Sequence, residues 1–242
     1  MHTLSAADIT RLCEWGTDKH DLDRAVALLR VATPGVEAEQ LSLLPIGQRD
    51  ERLMRLRARH FGPTFDMTVR CPKCDTALEF SMDIDALIQE PPEPSSRTIG
   101  FEGGSVQYRL PNSRDMAAIN RIRDPSEARQ LLLSRCLRVT DIEGQATDAA
   151  GVPPDVLEDV VQRWASEDPQ ADITFKLTCV SCRHKWRSVF DILSYFWREL
   201  EIYSQRLQDE VHLIAGQYGW DEQTILRMTP ERRKRYIDLI GT

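Results

Sequence analysis

Apolar residues at helical spacing mark the N-terminal part of the chain. They occupy residues 6–15 and 21–32, and the second series stops at a Thr-Pro-Gly sequence. A third helix is predicted to begin after Gly47 and to end before the Gly62–Pro63 breaker. The sequence therefore predicts that the N-terminal region is a set of short helices that pack together.

A second helical region is predicted at the C-terminal end. Its longest apolar series steps by three and four residues, so it should form one stripe on a long helix. Two short helices should follow, the first capped by Asp221 and the second beginning at Thr229 and Pro230. The stripe consists of Leu193, Phe196, Leu200, Tyr203, Leu207, Val211 and Ile214.

Two segments alternate apolar and polar residues with period two, and each leads into a Cys-x-x-Cys sequence. Shifting the first segment by 108 positions places Cys71 on Cys179 and Cys74 on Cys182. The apolar residues before the cysteines, and an Asp-Ile pair after them, then coincide as well. The sequence predicts a unit of strand, Cys-x-x-Cys turn, strand and helix start that is used twice.

The chain between the two units has mixed character. Two strands are predicted on either side of Gly103 and Gly104, followed by helices after Asn112, at 125–139 and at 153–168. A proline-rich stretch at 89–97 indicates a linker. We therefore predict the α+β class, with these segments: 1–62 helical, 63–90 first hairpin, 91–170 inserted mixed segment, 171–192 second hairpin and 193–242 helical.

Composition limits the classes of protein. The 242 residues are 41% hydrophobic and 29% charged, which is typical of a soluble globular chain. Neither a membrane-length apolar run nor a signal peptide is recognisable, so we expect a cytosolic, reducing environment. Six cysteines are too few for a disulfide scaffold, and a net charge of −7 argues against nucleic acid as the main partner.

The paired cysteines predict a metal site. Two Cys-x-x-Cys turns packed together offer four thiolates, the closed tetrahedral set of structural zinc, whereas catalytic zinc keeps an open position. We expect one zinc ion on Cys71, Cys74, Cys179 and Cys182, in two zinc-knuckle hairpins, and no catalytic residues. A redox dithiol, a disulfide within each pair and cysteines without metal are the alternatives, and His184 could replace one thiolate.

Other residues are candidates for packing or for contacts with a partner. Cys13 and Cys136 lie singly on apolar faces and are expected to be buried free thiols. The arginines between 49 and 59 form either a solvated face or a docking surface. The candidate partner-binding residues are Trp197, on the face of the long helix opposite its stripe, and Arg232, Arg233 and Arg235 in a basic cluster. A buried Trp197 and a merely solvated cluster are the alternatives.

Several segments, taken together, resemble a known family. From about Leu43 onward the chain is similar to baseplate-associated proteins encoded with contractile phage tails and phage-tail-like injection systems, which are distantly related to T-even phage baseplate hub proteins. The segments that carry the resemblance are "LLPIGQRDERLMRLRARHFGP", "CPKC", "YRLPNSRDM", "WASEDPQADI", "CVSC", "DILSYFWRELE" and "YGWDEQTILRMTPERRKRYIDLI".

The resemblance implies a non-enzymatic baseplate component or assembly factor. Its expected partners are other baseplate proteins, with no small-molecule substrate and no membrane span. It would be cytoplasmic during assembly, and whether it stays in the released particle is left open. The alternative is a zinc-ribbon regulatory protein that binds nucleic acid. The cysteine turns and the arginine clusters support this alternative.

Overall fold

Helices form both ends of the chain in a computed structural model that describes residues 1–90 and 96–241. Residues 91–95 of the predicted linker 89–97 lie outside the described part. The N-terminal helices are α1 (Ala6–Gly16), α2 (Asp21–Ala32), α3 (Ala38–Ser42) and α4 (Ile46–Phe61). The C-terminal helices are α9 (Ile192–Tyr218), α10 (Glu222–Leu226) and α11 (Pro230–Ile240).

Local capping explains where several of these helices begin. The Asp221 side chain accepts a hydrogen bond from the Thr224 backbone N–H at 2.9 Å, and the Thr229 hydroxyl accepts one from the Arg232 N–H at 3.3 Å. The predicted starts of the last two helices are thereby confirmed. The third predicted helix, α4, begins at Ile46 and so includes Gly47.

Two antiparallel strand pairs lie at the positions of the repeated unit. In the first pair, β1 (Thr64–Arg70) runs against β2 (Ala77–Asp83) and is followed by α5 (Ile84–Leu87). In the second pair, β7 (Thr174–Thr178) runs against β8 (Lys185–Val189) and leads into α9. Asp83 and Asp191, which the 108-residue shift superposes, are the N-cap residues of the helices that follow.

The chain between the two pairs forms a four-stranded antiparallel sheet with helices. The strand order is β3-β4-β5-β6, and a helix predicted to continue to Val139 ends at Cys136. Val139 instead pairs with Val106 of β4 and is buried, so sheet pairing overrides the helical pattern. The elements are β3 (Thr98–Phe101), β4 (Gly104–Tyr108), β5 (Leu137–Asp141), β6 (Ala146–Thr147), α6 (Ser113–Ile119), α7 (Pro125–Cys136) and α8 (Pro154–Glu167).

Two hydrophobic clusters underlie this α+β architecture. The larger one contains residues of α1, α2, α4, the two strand pairs and α9. The smaller one, which contains Val106, Val139 and Val160, lies between the four-stranded sheet and helices α7 and α8. No helix in residues 1–90 or 96–241 combines the length and the apolar composition that a membrane span requires.

The long helix α9 buries a wider stripe than its spacing predicts. Trp197 is only 3% exposed because α1 packs against it, and a Cβ atom built on Gly16 would lie 2.2 Å from its ring. The Arg24 guanidinium stacks over the indole at 4.8 Å, and the indole N–H donates to Glu201 at 2.8 Å. The expectation that Trp197 lies on a free face is therefore corrected: it is a core residue.

One arginine of the C-terminal cluster is also buried. Arg233 is 1% exposed; it donates to Glu210 of α9 at 2.6 Å and to the Met228 carbonyl at 2.7 Å. It attaches α11 to α9 and is not available to a partner, which corrects its assignment as a surface residue. Arg232 and Arg235, on the outer side of α11, are exposed.

Candidate metal centre

Four thiol groups converge at the tips of the two strand pairs. The sulfur atoms of Cys71, Cys74, Cys179 and Cys182 all lie within 4.8 Å of one another. The Cys71 and Cys182 sulfurs are 3.7 Å apart, and the Cys74 and Cys179 sulfurs are 3.5 Å apart. Each close pair joins one strand pair to the other, so the cluster lies between them.

The two turns that carry the cysteines have the same backbone geometry. In the first turn the Cys71 N–H donates to the Thr76 carbonyl at 3.0 Å, and in the second the Cys179 N–H donates to the His184 carbonyl at 2.9 Å. The residue after the second cysteine is left-handed in both, with φ of 58° at Asp75 and 57° at Arg183. These residues are superposed by the 108-residue shift, so the sequence repeat is a structural repeat.

The sulfur positions fit a tetrahedral metal ion. Zinc–sulfur bonds of about 2.3 Å in a tetrahedron place the sulfurs about 3.8 Å apart, close to the separations of 3.5 and 3.7 Å between the two close pairs. A disulfide requires about 2.05 Å, and all the cysteines are free. His184 stacks on Trp186 with ring centroids 6.0 Å apart and is not a member of the cluster.

Hydrogen bonds favour the thiolate form at two of the four cysteines. Thr76, through its hydroxyl and then its backbone N–H, lowers the pKa of Cys74 to about 6. The backbone N–H of Cys182, 3.5 Å from the Cys179 sulfur, lowers the pKa of Cys179.

The pKa of Cys182 shifts in the opposite direction. A backbone hydrogen bond with His184 acts to lower the pKa of Cys182, but desolvation and the neighbouring thiols outweigh it and raise the pKa to about 12. A metal ion that takes all four sulfurs as thiolates must release the protons that the thiols still carry.

Aromatic contacts hold the two strand pairs together beneath the thiols. Phe80 of β2 meets Phe175 of β7 edge to face, with ring centroids 5.6 Å apart. Phe65 of β1 meets Phe190, which follows β8, in the same manner at 5.9 Å. The inner faces of the two pairs therefore face each other, and this packing positions the cysteine turns at one end.

A buried arginine ties the first strand pair to two helices. Arg57 of α4 is 4% exposed; its Nε and Nη2 donate to the Glu199 carboxylate of α9 at 2.8 and 2.6 Å. Its Nη1 donates to the carbonyls of Gly62 and Thr64, and its guanidinium lies 4.2 Å from the Phe65 ring centroid. Sequence reasoning missed this role, although Arg57 follows Leu53 at the spacing that puts both on one face of α4.

The two lone cysteines lie outside the cluster. Cys136 is buried and Cys13 is half-buried. Desolvation raises the pKa of Cys13 to about 11 and that of Cys136 to about 12. Both thiols are therefore neutral at physiological pH, as expected of packing residues.

The chain matches a known protein family over most of its length. A family profile described as "T4 bacteriophage base plate protein" matches residues 12–197. The matched range contains both cysteine pairs and the chain between them. It begins earlier than the resemblance seen in the sequence motifs and ends before the C-terminal tail. No curated protein and no solved structure gave a significant match.

Proposed function

Because this chain belongs to the T4 bacteriophage base plate protein family, we propose that it is a non-enzymatic structural component or assembly factor of the baseplate of a contractile tail or injection apparatus. The observation that carries the proposal is the length of the match, which includes both cysteine pairs and the segment inserted between them. Its partners would be other baseplate proteins, which it would contact through its folded surface.

One structural zinc ion is the second part of the proposal. Cys71, Cys74, Cys179 and Cys182 would hold the ion as four thiolates, and the sulfur separations of 3.5 and 3.7 Å support this assignment. The zinc would supply cross-linking and no chemistry, because a four-thiolate site leaves no open position for water or substrate. Elemental analysis of the purified protein should find about one zinc per chain; no zinc, or two ions, would contradict the shared site.

The segments take distinct parts in this proposal. The hairpins at 63–90 and 171–192 would form one metal-clamped unit with the helical regions 1–62 and 193–242. The mixed segment 91–170 would form a subdomain of its own, which its separate hydrophobic cluster supports. Such an insertion would leave the unit formed by the two hairpins uninterrupted and would offer partners a second surface.

For docking, we propose the exposed side of α11. Arg232 and Arg235 are both exposed and lie three residues apart on this helix, so an acidic partner surface could meet both at once. Removing the C-terminal region is a poor test, because α10 and α11 pack against α9 and their loss would expose part of that helix. Charge reversal changes the surface and leaves this packing intact.

Incorporation into the particle tests the functional proposal. Particles and assembly intermediates would be purified from cells that carry the wild-type protein or Arg232→Glu with Arg235→Glu, and this chain would be measured by quantitative mass spectrometry. We expect the wild-type chain in one or both fractions and the variant reduced at least about tenfold. Arg121→Glu with Arg123→Glu is the control, since both residues are exposed and the net charge changes equally.

The outcomes separate the two parts of the proposal. Absence of the wild-type chain from particles and from intermediates would contradict a baseplate role. Its presence only in intermediates would identify an assembly factor. Normal incorporation of the Arg232→Glu, Arg235→Glu variant would leave the baseplate role intact and move the docking surface away from α11.

A further inference from the structure

The outer faces of the two strand pairs carry opposite charges. Because the inner faces pack against each other through Phe80 and Phe175, the outer faces point to opposite sides of the unit. On the first pair the exposed outward residues include Asp66, Glu79 and Asp83, which we call the acidic face. On the second pair they include Lys176, Lys185 and Arg187, which we call the basic face.

The basic face concentrates charge that no carboxylate in the described part of the chain neutralises. Lys176 stands directly opposite Arg187 in the register of β7 and β8, and Lys185 lies on the same face. Like charges directly opposite each other destabilise a strand pair. Within residues 1–90 and 96–241, no carboxylate oxygen lies within 4.0 Å of the charged nitrogens of these three residues.

The acidic face is open to a cation in the same way. Asp66 accepts a hydrogen bond from the Ser81 hydroxyl at 2.5 Å, and Asp83 caps α5. Among the described residues, Glu79 has neither a hydrogen-bond nor an ion-pair partner within the chain. Each of these carboxylates therefore retains acceptor positions directed to solvent.

The two faces are related by the sequence repeat and carry opposite charge. Both belong to copies of one repeated unit, so they share strand direction and alternation. The basic face presents three cations, and the acidic face presents three carboxylates together with Arg70, which is paired with Asp75 at 2.9 Å. In a chain with a net charge of −7, a face with three unpaired cations is a local exception. The matching face lies on the opposite side of the same unit, so a second copy of this chain has the complementary surface.

We propose that copies of this chain associate head to tail, with the basic face of one copy against the acidic face of the next. Such a contact joins different surfaces, so it repeats into an open row or closes into a ring. Each face is on the order of 200 Å², against roughly 800 Å² per partner in a stable interface. The association should therefore be weak in isolation and sensitive to salt. It does not depend on the baseplate proposal, and it requires only that the two strand pairs are folded.

A charge-swap experiment tests this contact. Sedimentation velocity over a concentration series, at low and at high salt, would be recorded for the full chain and for two variants. The first variant is Lys176→Glu with Arg187→Glu, which makes both faces acidic; the second is Asp66→Lys with Glu79→Lys, which makes both faces basic. We expect the wild type to self-associate at low salt, each variant to associate at least about tenfold more weakly, and an equimolar mixture of the two variants to associate again.

The control variant has the same change in net charge as the first variant, but at residues outside the two faces. Arg121→Glu with Arg123→Glu, at two exposed residues, alters the net charge as much as the first variant does, and it should leave self-association within about twofold of the wild type. Unchanged thermal unfolding midpoints would show that each variant is folded. A wild type that stays monomeric at low salt, or a variant mixture that does not recover association, would overturn the proposal.

Discussion

Arg57 shows how one buried charge can organise several segments. The free energy lost by removing its guanidinium from water is offset because every nitrogen has a partner. Two nitrogens pair with Glu199, the third donates to two carbonyls, and the guanidinium plane covers the Phe65 ring. Removing the Arg57 side chain should be strongly destabilising, because the Glu199 carboxylate would be left without its partner. The residue thus links α4, β1 and α9.

Replacing Arg57 by alanine should lower the free energy of unfolding by about 3–5 kcal/mol, the range for breaking a buried ion pair. Urea denaturation followed by circular dichroism measures this change. The matched control is Arg55→Ala on the same helix, where an exposed pair with Glu51 at 2.8 Å is removed; it should cost less than about 1 kcal/mol. Equal losses for the two variants would contradict the structural role of Arg57.

The two lone cysteines make stability depend on pH in the alkaline range. In the folded chain their pKa values are raised to about 11 for Cys13 and about 12 for Cys136, from an ordinary value of 9.0. Above pH 9.0 the unfolded chain ionises these thiols while the folded chain does not. Their contribution is therefore complete below that pH and is lost as the pH rises through the folded values.

We expect the free energy of unfolding of the wild type to fall more steeply above about pH 9 than that of a Cys13→Ala, Cys136→Ala variant. Denaturation series at several pH values, with both proteins in the same buffers, measure the difference. At neutral pH the two curves should differ only by the small cavity left by the thiols. Parallel curves across the alkaline range would show that these thiols are not protected from ionisation.

Sequence reasoning failed at residues whose surroundings are set by distant segments. The pattern of each helix by itself predicts that a tryptophan beside the stripe, such as Trp197, and an arginine in a basic cluster, such as Arg233, are exposed. Gly16 creates the space for the indole, and Glu210 pairs with the guanidinium. Neither partner can be identified from spacing alone, because each belongs to another helix.

At the scale of elements, α1 and α9 approach each other closely where Gly16 faces Trp197. A Cβ atom at Gly16 would lie 2.2 Å from the indole, while a Cβ atom at Gly216, on the exposed side of α9, would meet nothing within 4 Å. The two glycines therefore have opposite roles: the first allows a helix contact, and the second only weakens a helix.

Gly16→Ala should destabilise the protein by about 1–3 kcal/mol through overpacking. Gly216→Ala should stabilise it by about 0.5–1 kcal/mol, since alanine favours the helix and meets no neighbour. Thermal unfolding of the two variants and the wild type, recorded together, measures the expected loss of stability in the first variant and the expected gain in the second. A neutral or stabilising Gly16→Ala would mean that α1 and α9 are not packed this closely.

The elements that were predictable from the sequence are those with local signals. The cysteine turns repeat, and the caps at Asp221 and Thr229 are side-chain hydrogen bonds within one turn. Gly103 lies in the turn between β3 and β4, and Gly104 is the first residue of β4. Strand β5 was missed because no breaker separates Cys136 from Leu137, so its apolar residues continued the helical pattern. Only pairing with β4 makes that segment a strand.

At the scale of the whole molecule, the cysteine cluster joins parts of the chain that are far apart in sequence. Cys74 and Cys179 are 105 residues apart, and the segment between them has its own hydrophobic cluster. Two-stranded hairpins are only marginally stable by themselves. A shared ion would therefore make the two hairpins one cooperative unit, while the inserted segment could keep its own stability.

Replacing Cys74 or Cys182 by serine tests this cooperative unit through hydrogen exchange. Each variant should lose the zinc, and the backbone amides of both strand pairs should lose protection together, because the hairpins share the ion. The amides of β4 and β5 should keep theirs, since the smaller cluster does not contain the metal site. Cys136→Ala, at a buried cysteine outside the cluster, is the control and should retain the zinc. If Cys74→Ser exposed only the first strand pair and left the second protected, each pair would be stable independently and the shared site would be wrong.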